Sequence, residues 1–144
     1  MQPGIVYGNP DDPNFAKEFL VDLQTYVWSP VKFENVPITL KVHKLAHDAF
    51  DGFLKDLHVF YTIYDISSYN NRLIRGSNAH KSQHAWGNAI DINPTTNPST
   101  HNGVRTTDMP IDDIHKLIEK YNLVWGGDWH QPIDSMHFEW GGLK

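Results

Sequence analysis

The chain has 144 residues, the size of one domain built around one core. Its 12 Lys plus Arg stand against 17 Asp plus Glu, a net charge of −5, which argues against a nucleic-acid binder and offers no attraction to anionic membranes. No cysteine is present, so disulfides, thiolate metal sites and cysteine nucleophiles are excluded, and any metal must be held by His, Asp or Glu.

The first residues, "MQPGIVYGNPDDP", lack the basic and apolar regions of a signal peptide. No apolar run approaches the ~18 residues of a membrane span. "NPDDPN" (9–14) is a turn cluster in which Asp12 or Asn14 is placed to cap the next element. "FAKEFLVDLQTYVW" (15–28) sets Phe15, Phe19, Leu20, Leu23 and Val27 near helical spacing, which predicts a helix stopped by Pro30. "LKVHKLAHDAFDGFLKDL" (40–57) repeats the pattern, with Leu45, Ala49, Leu54 and Leu57 toward a core. "HVFYTIYDI" (58–66) is β-branched and aromatic and predicts a strand.

A polar loop (67–83) precedes a short strand in "NAIDIN" (88–93), and a long irregular loop covers 94–110. "IDDIHKLIEKYN" (111–122) reads as a helix, with Pro110 near its start and Asp112 and Asp113 in the first turn, as the helix dipole favours. "LVW" (123–125) and "MHFEW" (136–140) read as strands around "GGDWHQPIDS". Helices and antiparallel-looking strands without a βαβ rhythm predict an α+β fold, a single compact domain over 1–144 with helices on a small antiparallel sheet.

A catalytic zinc needs three protein ligands and an open position. His84 and Asp91 qualify if Gly87 turns the chain back, because seven extended residues would otherwise span ~23 Å. His137 alternates with Met136 and Phe138 and shares a strand face with Glu139. On spacing alone, the alternative stands that His84 caps a turn and His137 is a satisfied, half-buried side chain. His43 and His47 have the i, i+4 spacing of a zincin helix, but Lys44 occupies the position of the required Glu. They read as a solvated or partly buried helix face. His58, His80, His101, His115 and His130 read as surface histidines. No Gly-x-Ser-x-Gly elbow, phosphate loop or dinucleotide fingerprint is present.

"SQHAWGNAIDIN" (82–93) resembles the Ser-x-His-x-x-Gly-x-Ala-x-Asp signature of the zinc D-alanyl-D-alanine carboxypeptidase family, which includes D,D-dipeptidases and phage endolysin L-alanyl-D-glutamate endopeptidases. "WGGDWHQPIDSMHFEW" (125–140) resembles its second signature, and "YNNRLIRGS" (69–77) its Arg-bearing loop. These motifs put the motif-bearing part at about 66–141. The resemblance implies one zinc per chain on His84, Asp91 and His137, with Asp134 as general base and Ser82 helping to hold substrate. It implies Arg72 as the oxyanion residue; Arg75 and Arg105 remain rivals for that role. Glu139 competes with Asp134 on local geometry and reads as a group supporting the metal ligands or as a structural ion-pair partner.

The implied substrate is a peptidoglycan stem peptide, and the phage-like "WGGDW…MHFEW" ending favours an endolysin-type endopeptidase. A D,D-carboxypeptidase or dipeptidase is the alternative, and a catalytically silent wall-binding module a third. A monomer is expected, without nucleic-acid or membrane partners, made in the host cytoplasm and acting on the bacterial cell wall.

Overall fold

The computed structural model describes residues 7–74, 77 and 80–143. It is an α+β fold. In chain order it comprises α1 (Phe15–Phe19), β1 (Leu20–Ser29), β2 (Glu34–His43), α2 (His47–His58), β3 (Ile66–Ser67), β4 (Ala89–Ile92), β5 (Ser99–Thr100), α3 (Ile111–Tyr121), β6 (Leu123–Trp125), β7 (Ile133–Asp134) and β8 (His137–Trp140). Short 3₁₀ turns cover Gln83–Trp86 and Gly126–Asp128. The central sheet runs β3-β4-β8-β6, with every neighbouring pair antiparallel. β1 and β2 form a separate hairpin, and β5 pairs with β7.

The first half of the chain departs from its sequence pattern. The helix expected over 15–28 ends at Phe19, and Leu20–Ser29 is a strand. Leu23 and Val27 fit a helical stripe, but Leu23, Thr25 and Val27 fit alternation equally well. Val21, Thr25, Tyr26, Val27 and Trp28 all favour a pleated surface. Pairing decides the matter: all ten residues of β1 have partners in β2, from Leu20↔His43 to Ser29↔Glu34. The helix expected over 40–57 likewise starts only at His47, because Leu40–His43 close the hairpin. Its buried side chains are Phe50, Phe53, Leu54 and Leu57, whereas Leu45 is exposed. The strand expected over 58–66 shrinks to its last residue, Ile66, and continues into Ser67.

Where that ladder is missing, a side chain replaces it. The buried Asn93 Oδ1 accepts the Tyr64 and Asp65 amides at 2.7 and 3.1 Å, and its Nδ2 donates to the Thr62 carbonyl at 2.9 Å. Asn97 Nδ2 donates to the Tyr61 hydroxyl at 3.0 Å, and that hydroxyl donates to Asp108 at 2.5 Å. This network pins the long 94–110 loop, which also carries β5.

The two histidines read as a solvated or partly buried helix face are not on one helix. His43 ends β2 and is fully buried, while His47 opens α2. His43 Nδ1 accepts the Leu45 amide at 3.1 Å, so Nε2 carries the proton and donates to the Tyr7 carbonyl at 3.1 Å. Tyr7, Phe15 and Phe19 surround the ring. Asn14 precedes α1 without a side-chain cap; Asp12 Oδ1 instead accepts the Asn14 amide.

The core joins both halves. Leu23, Leu40 and Val42 of the hairpin and Phe50, Phe53, Leu54 and Leu57 of α2 pack with Ile90, Ile92, Trp125 and Phe138 of the sheet. Phe53 and Phe138 meet at 4.9 Å between ring centroids.

Gly87 adopts φ 72°, and a Cβ there would lie 2.7 Å from the His43 amide nitrogen and 2.7 Å from Leu20 Cδ2. Gly87→Ala is expected to lower stability by at least ~1 kcal/mol from the left-handed backbone alone, with the clash adding to it, and thermal unfolding measures the loss. His43 supplies a pH signature. Burial pushes its pKa below the ordinary 6.5, against the pull of the Tyr7 carbonyl. Its contribution is therefore complete above 6.5 and is lost as pH falls through that value toward the folded-state pKa. Denaturant unfolding between pH 7.5 and 5 (about the range in which a histidine charges) should show a smaller acid loss for His43→Gln than for the unaltered chain.

Candidate metal centre and its cleft

The site is built across the middle of the central sheet. In the β4–β8 ladder Asp91 sits directly opposite His137, and on its other side Asp91 pairs with Ser67 of β3. His84 arrives from the 3₁₀ turn Gln83–Trp86. The Ser82 hydroxyl caps that turn by accepting the His84 amide at 3.2 Å, and Gly87 ends it in the left-handed conformation. The chain then doubles back into β4, as the spacing of His84 and Asp91 required. One side-chain atom from each of His84, Asp91 and His137 lies within 4.8 Å of the others.

The orientation of each ring is set by its second nitrogen. His84 Nδ1 donates to the Ser68 carbonyl at 2.7 Å, so Nε2 presents a lone pair 3.1 Å from Asp91 Oδ2. His137 Nε2 donates to Glu139 Oε1 at 2.8 Å, and Nδ1 lies 3.4 Å from Asp91 Oδ1. Imidazole lone pairs and carboxylate oxygens thus converge, an arrangement that a cation relieves. Asp91 Oδ1, His84 Nε2 and Asp134 Oδ1 are buried without a hydrogen-bond partner. Buried polar atoms are normally paired, and the N, N, O donor set suits zinc. The residues therefore fit a divalent metal held by His84, Asp91 and His137.

The electrostatics agree. Burial alone would lower the His137 pKa, but the adjoining Asp91 and Glu139 carboxylates outweigh burial and push it up to about 9. Burial would raise Asp91, yet the two imidazoles hold its carboxyl far below the usual range. Both shifts express a local demand for positive charge. Asp134 differs: burial pushes its pKa up, and the nearby Asp91 charge adds to that push against the attraction of His137.

A cleft of about 490 Å³ opens beside this group. Arg72, Ser82, Asp91, Asp134, His137 and Glu139 all line it. The structure separates the three arginines considered for the oxyanion. Arg72 lines the cleft, with Nη1 donating to the Leu73 carbonyl at 3.3 Å. Arg105 is turned to the far side of the Gly126–Asp128 turn, where Nε donates to the Gly127 carbonyl at 2.8 Å and Nη2 lies 3.3 Å from Asp128 Oδ1. Arg75 lies outside the described residues.

The "WGGDW" segment forms the back of the site. Trp125 is fully buried and donates from Nε1 to the Ser135 carbonyl at 2.8 Å. Gly126 abuts the Asp134 carbonyl and lies close to His137, leaving no room for a Cβ. His115 Nε2 bonds Asp128 at 2.7 Å, so helix α3 and Arg105 clamp the turn from outside. Trp129 lies in the cleft, its ring 5.1 Å from His137.

Three features escape the sequence reading. Asp134 lies in β7, paired with Ser99 of β5, and not in a free loop. Met136 precedes β8 and lines the cleft together with His137, so alternation does not hold at that step. Ser99 and His101 also line the cleft. The only signal for the last two was the length of the loop that bears them.

Residues 75–140 match a family model described as D-alanyl-D-alanine carboxypeptidase. No curated protein and no solved structure matches the chain. The matched stretch contains His84, Asp91, Asp134 and His137. Over residues 75–140, a little under half of its length, the chain is thus similar to the D-alanyl-D-alanine carboxypeptidase family.

Proposed function

We propose that the protein is a zinc-dependent peptidoglycan peptidase of the endolysin type, cutting the L-alanyl-D-glutamate bond of the stem peptide. The observation that carries the reading is the convergence of His84, Asp91 and His137 at a cleft that the half-buried Asp134 also lines. A zinc ion held by His84 Nε2, Asp91 and His137 Nδ1 supplies Lewis acidity and lowers the pKa of water.

The chain's own residues supply the rest. Burial makes Asp134 a stronger base than a solvated aspartate. Its carboxylate takes the proton of the attacking water and passes it to the leaving amine. The Arg72 guanidinium donates to the oxygen on which negative charge develops. Glu139, bonded to His137 Nε2, fixes the ring and raises its basicity. Ser82 holds His84 through the turn cap and adds a polar contact to substrate from the cleft wall. The endopeptidase reading is supported by the phage-like "WGGDW…MHFEW" ending. The description of the matching family favours the second reading, removal of a terminal D-alanine.

Mass spectrometry of digested cell walls separates the two. New amino-terminal glutamate is expected; release of free alanine alone would give the carboxypeptidase. Elemental analysis should find about one zinc per chain, strongly reduced in His84→Ala and His137→Ala. Full occupancy in both variants would remove the metal assignment. Asp134→Asn should keep zinc and lose about 10²–10⁴-fold in rate. Arg72→Lys should keep zinc and lose roughly 10²-fold, because an ammonium lacks the planar fork. Glu139→Gln should instead weaken zinc affinity, by about 10-fold or more.

A further inference from the structure

Two of the cleft-lining residues have no role in the chemistry above, yet they stand next to it. Ser99 of β5 is the ladder partner of Asp134 of β7. Two residues on, His101 opens the bend that follows β5. Both side chains line the cleft.

The segment that carries His101 is fixed. Thr100 pairs with Ile133, and its hydroxyl donates to the Val104 carbonyl at 2.7 Å. Asn102 Oδ1 accepts the Val104 amide at 3.0 Å, and Gly103 takes φ 77°. The imidazole itself is exposed and bonds no other described residue.

The charges in the cleft give that imidazole a task. Asp91, Asp134 and Glu139 line the cleft as carboxylates, and the chain carries a net −5. An anionic substrate therefore needs a cation or a donor to enter. Lys81 lines the cleft too, but its ammonium is engaged by Asp11 at 2.9 Å and by Asn71 at 2.8 Å. Arg72 is assigned to the developing oxyanion. With His137 assigned to the metal, His101 is the remaining donor able to carry positive charge among the described cleft residues.

We propose that His101 is a specificity-determining residue, donating a hydrogen bond to a substrate carboxylate next to the scissile bond. The inference rests on the endopeptidase reading. In a stem peptide the γ-linked D-glutamyl residue keeps its α-carboxyl free, on the carbon that bears the scissile nitrogen. That carboxylate is therefore immediately beside the bond served by Asp134, in the cleft that His101 also lines. An amidated α-carboxyl removes the charge and half the acceptors, so His101 discriminates the acid from the amide.

The test uses two synthetic N-acyl-L-alanyl-γ-D-glutamyl-L-lysine peptides, one with the free α-carboxylate and one with the α-carboxamide. The unaltered protein should cut the acid with the higher kcat/KM. His101→Ala should lower kcat/KM for the acid by roughly tenfold or more, the scale of one hydrogen bond to a charged group, mainly through KM. Its effect on the amide should stay within about twofold, and zinc content should not change. His101→Arg should restore the preference for the acid. Equal losses on both peptides, or no loss on either, would overturn the role of His101. If the unaltered protein releases free D-alanine from a pentapeptide but cuts neither tripeptide, the endopeptidase reading fails and this inference with it.

Discussion

The pairing of β4 with β8 is the constraint on which the site depends. It sets Asp91 opposite His137 across an antiparallel ladder, so two of the three candidate ligands meet without any loop having to position them. A strand pair has a side-chain period of two, and a one-residue slip would turn one of these groups to the other face. Ile90↔Phe138, on the core side of the same ladder, resists such a slip, because both side chains are fully buried. Hydrophobic packing on one face thus holds ligand register on the other. The third member, His84, cannot come from the ladder and comes from the capped turn just before it.

The polar face of the sheet would be costly to fold without a cation. Three carboxylates and two imidazoles share one small volume, and several of their atoms are buried without partners. The fold orders them from behind. Ser68 fixes one ring, Glu139 the other, and the Gly126–Asp128 turn closes against Asp134 and His137. Arg105, His115 and α3 restrain that turn from the solvent side, so the arginine that rivalled Arg72 contributes to shape on the side away from the cleft.

The candidate site was legible in the sequence because its residues lie in two compact motifs and its geometry is local. Gly87 requires a reversal, and reversal brings His84 back to Asp91. The fold was legible only in its second half. β4, α3, β6 and β8 are short elements with clear boundaries, and they appear where the pattern put them. Residues 15–43 misled the helical reading because a stripe such as Phe15, Phe19, Leu23 and Val27 satisfies a period near four and a period of two at once. Only the partner strand separates the two, and the pairing of Leu23 with Leu40 is not a local property. Asp134 shows the same limit: β7 has two residues, too few for any periodicity, and exists because Ser99 lies beside it. His43 reads as part of a solvated or partly buried helix face until the ring's neighbours from α1 are known.

The hairpin that the sequence hid has a consequence for how portable this chemistry is. The His43 amide donates to the Gly87 carbonyl at 2.9 Å, and Leu20 and Val42 crowd the same glycine. The reversal that delivers His84 is therefore moulded against residues more than forty positions earlier. Phe53 performs a similar service beneath Phe138. The stretch bearing the family's motifs is a set of reactive groups without its own foundation, and a graft of residues 75–140 onto another scaffold would carry the ligands but leave behind the surface that aims them.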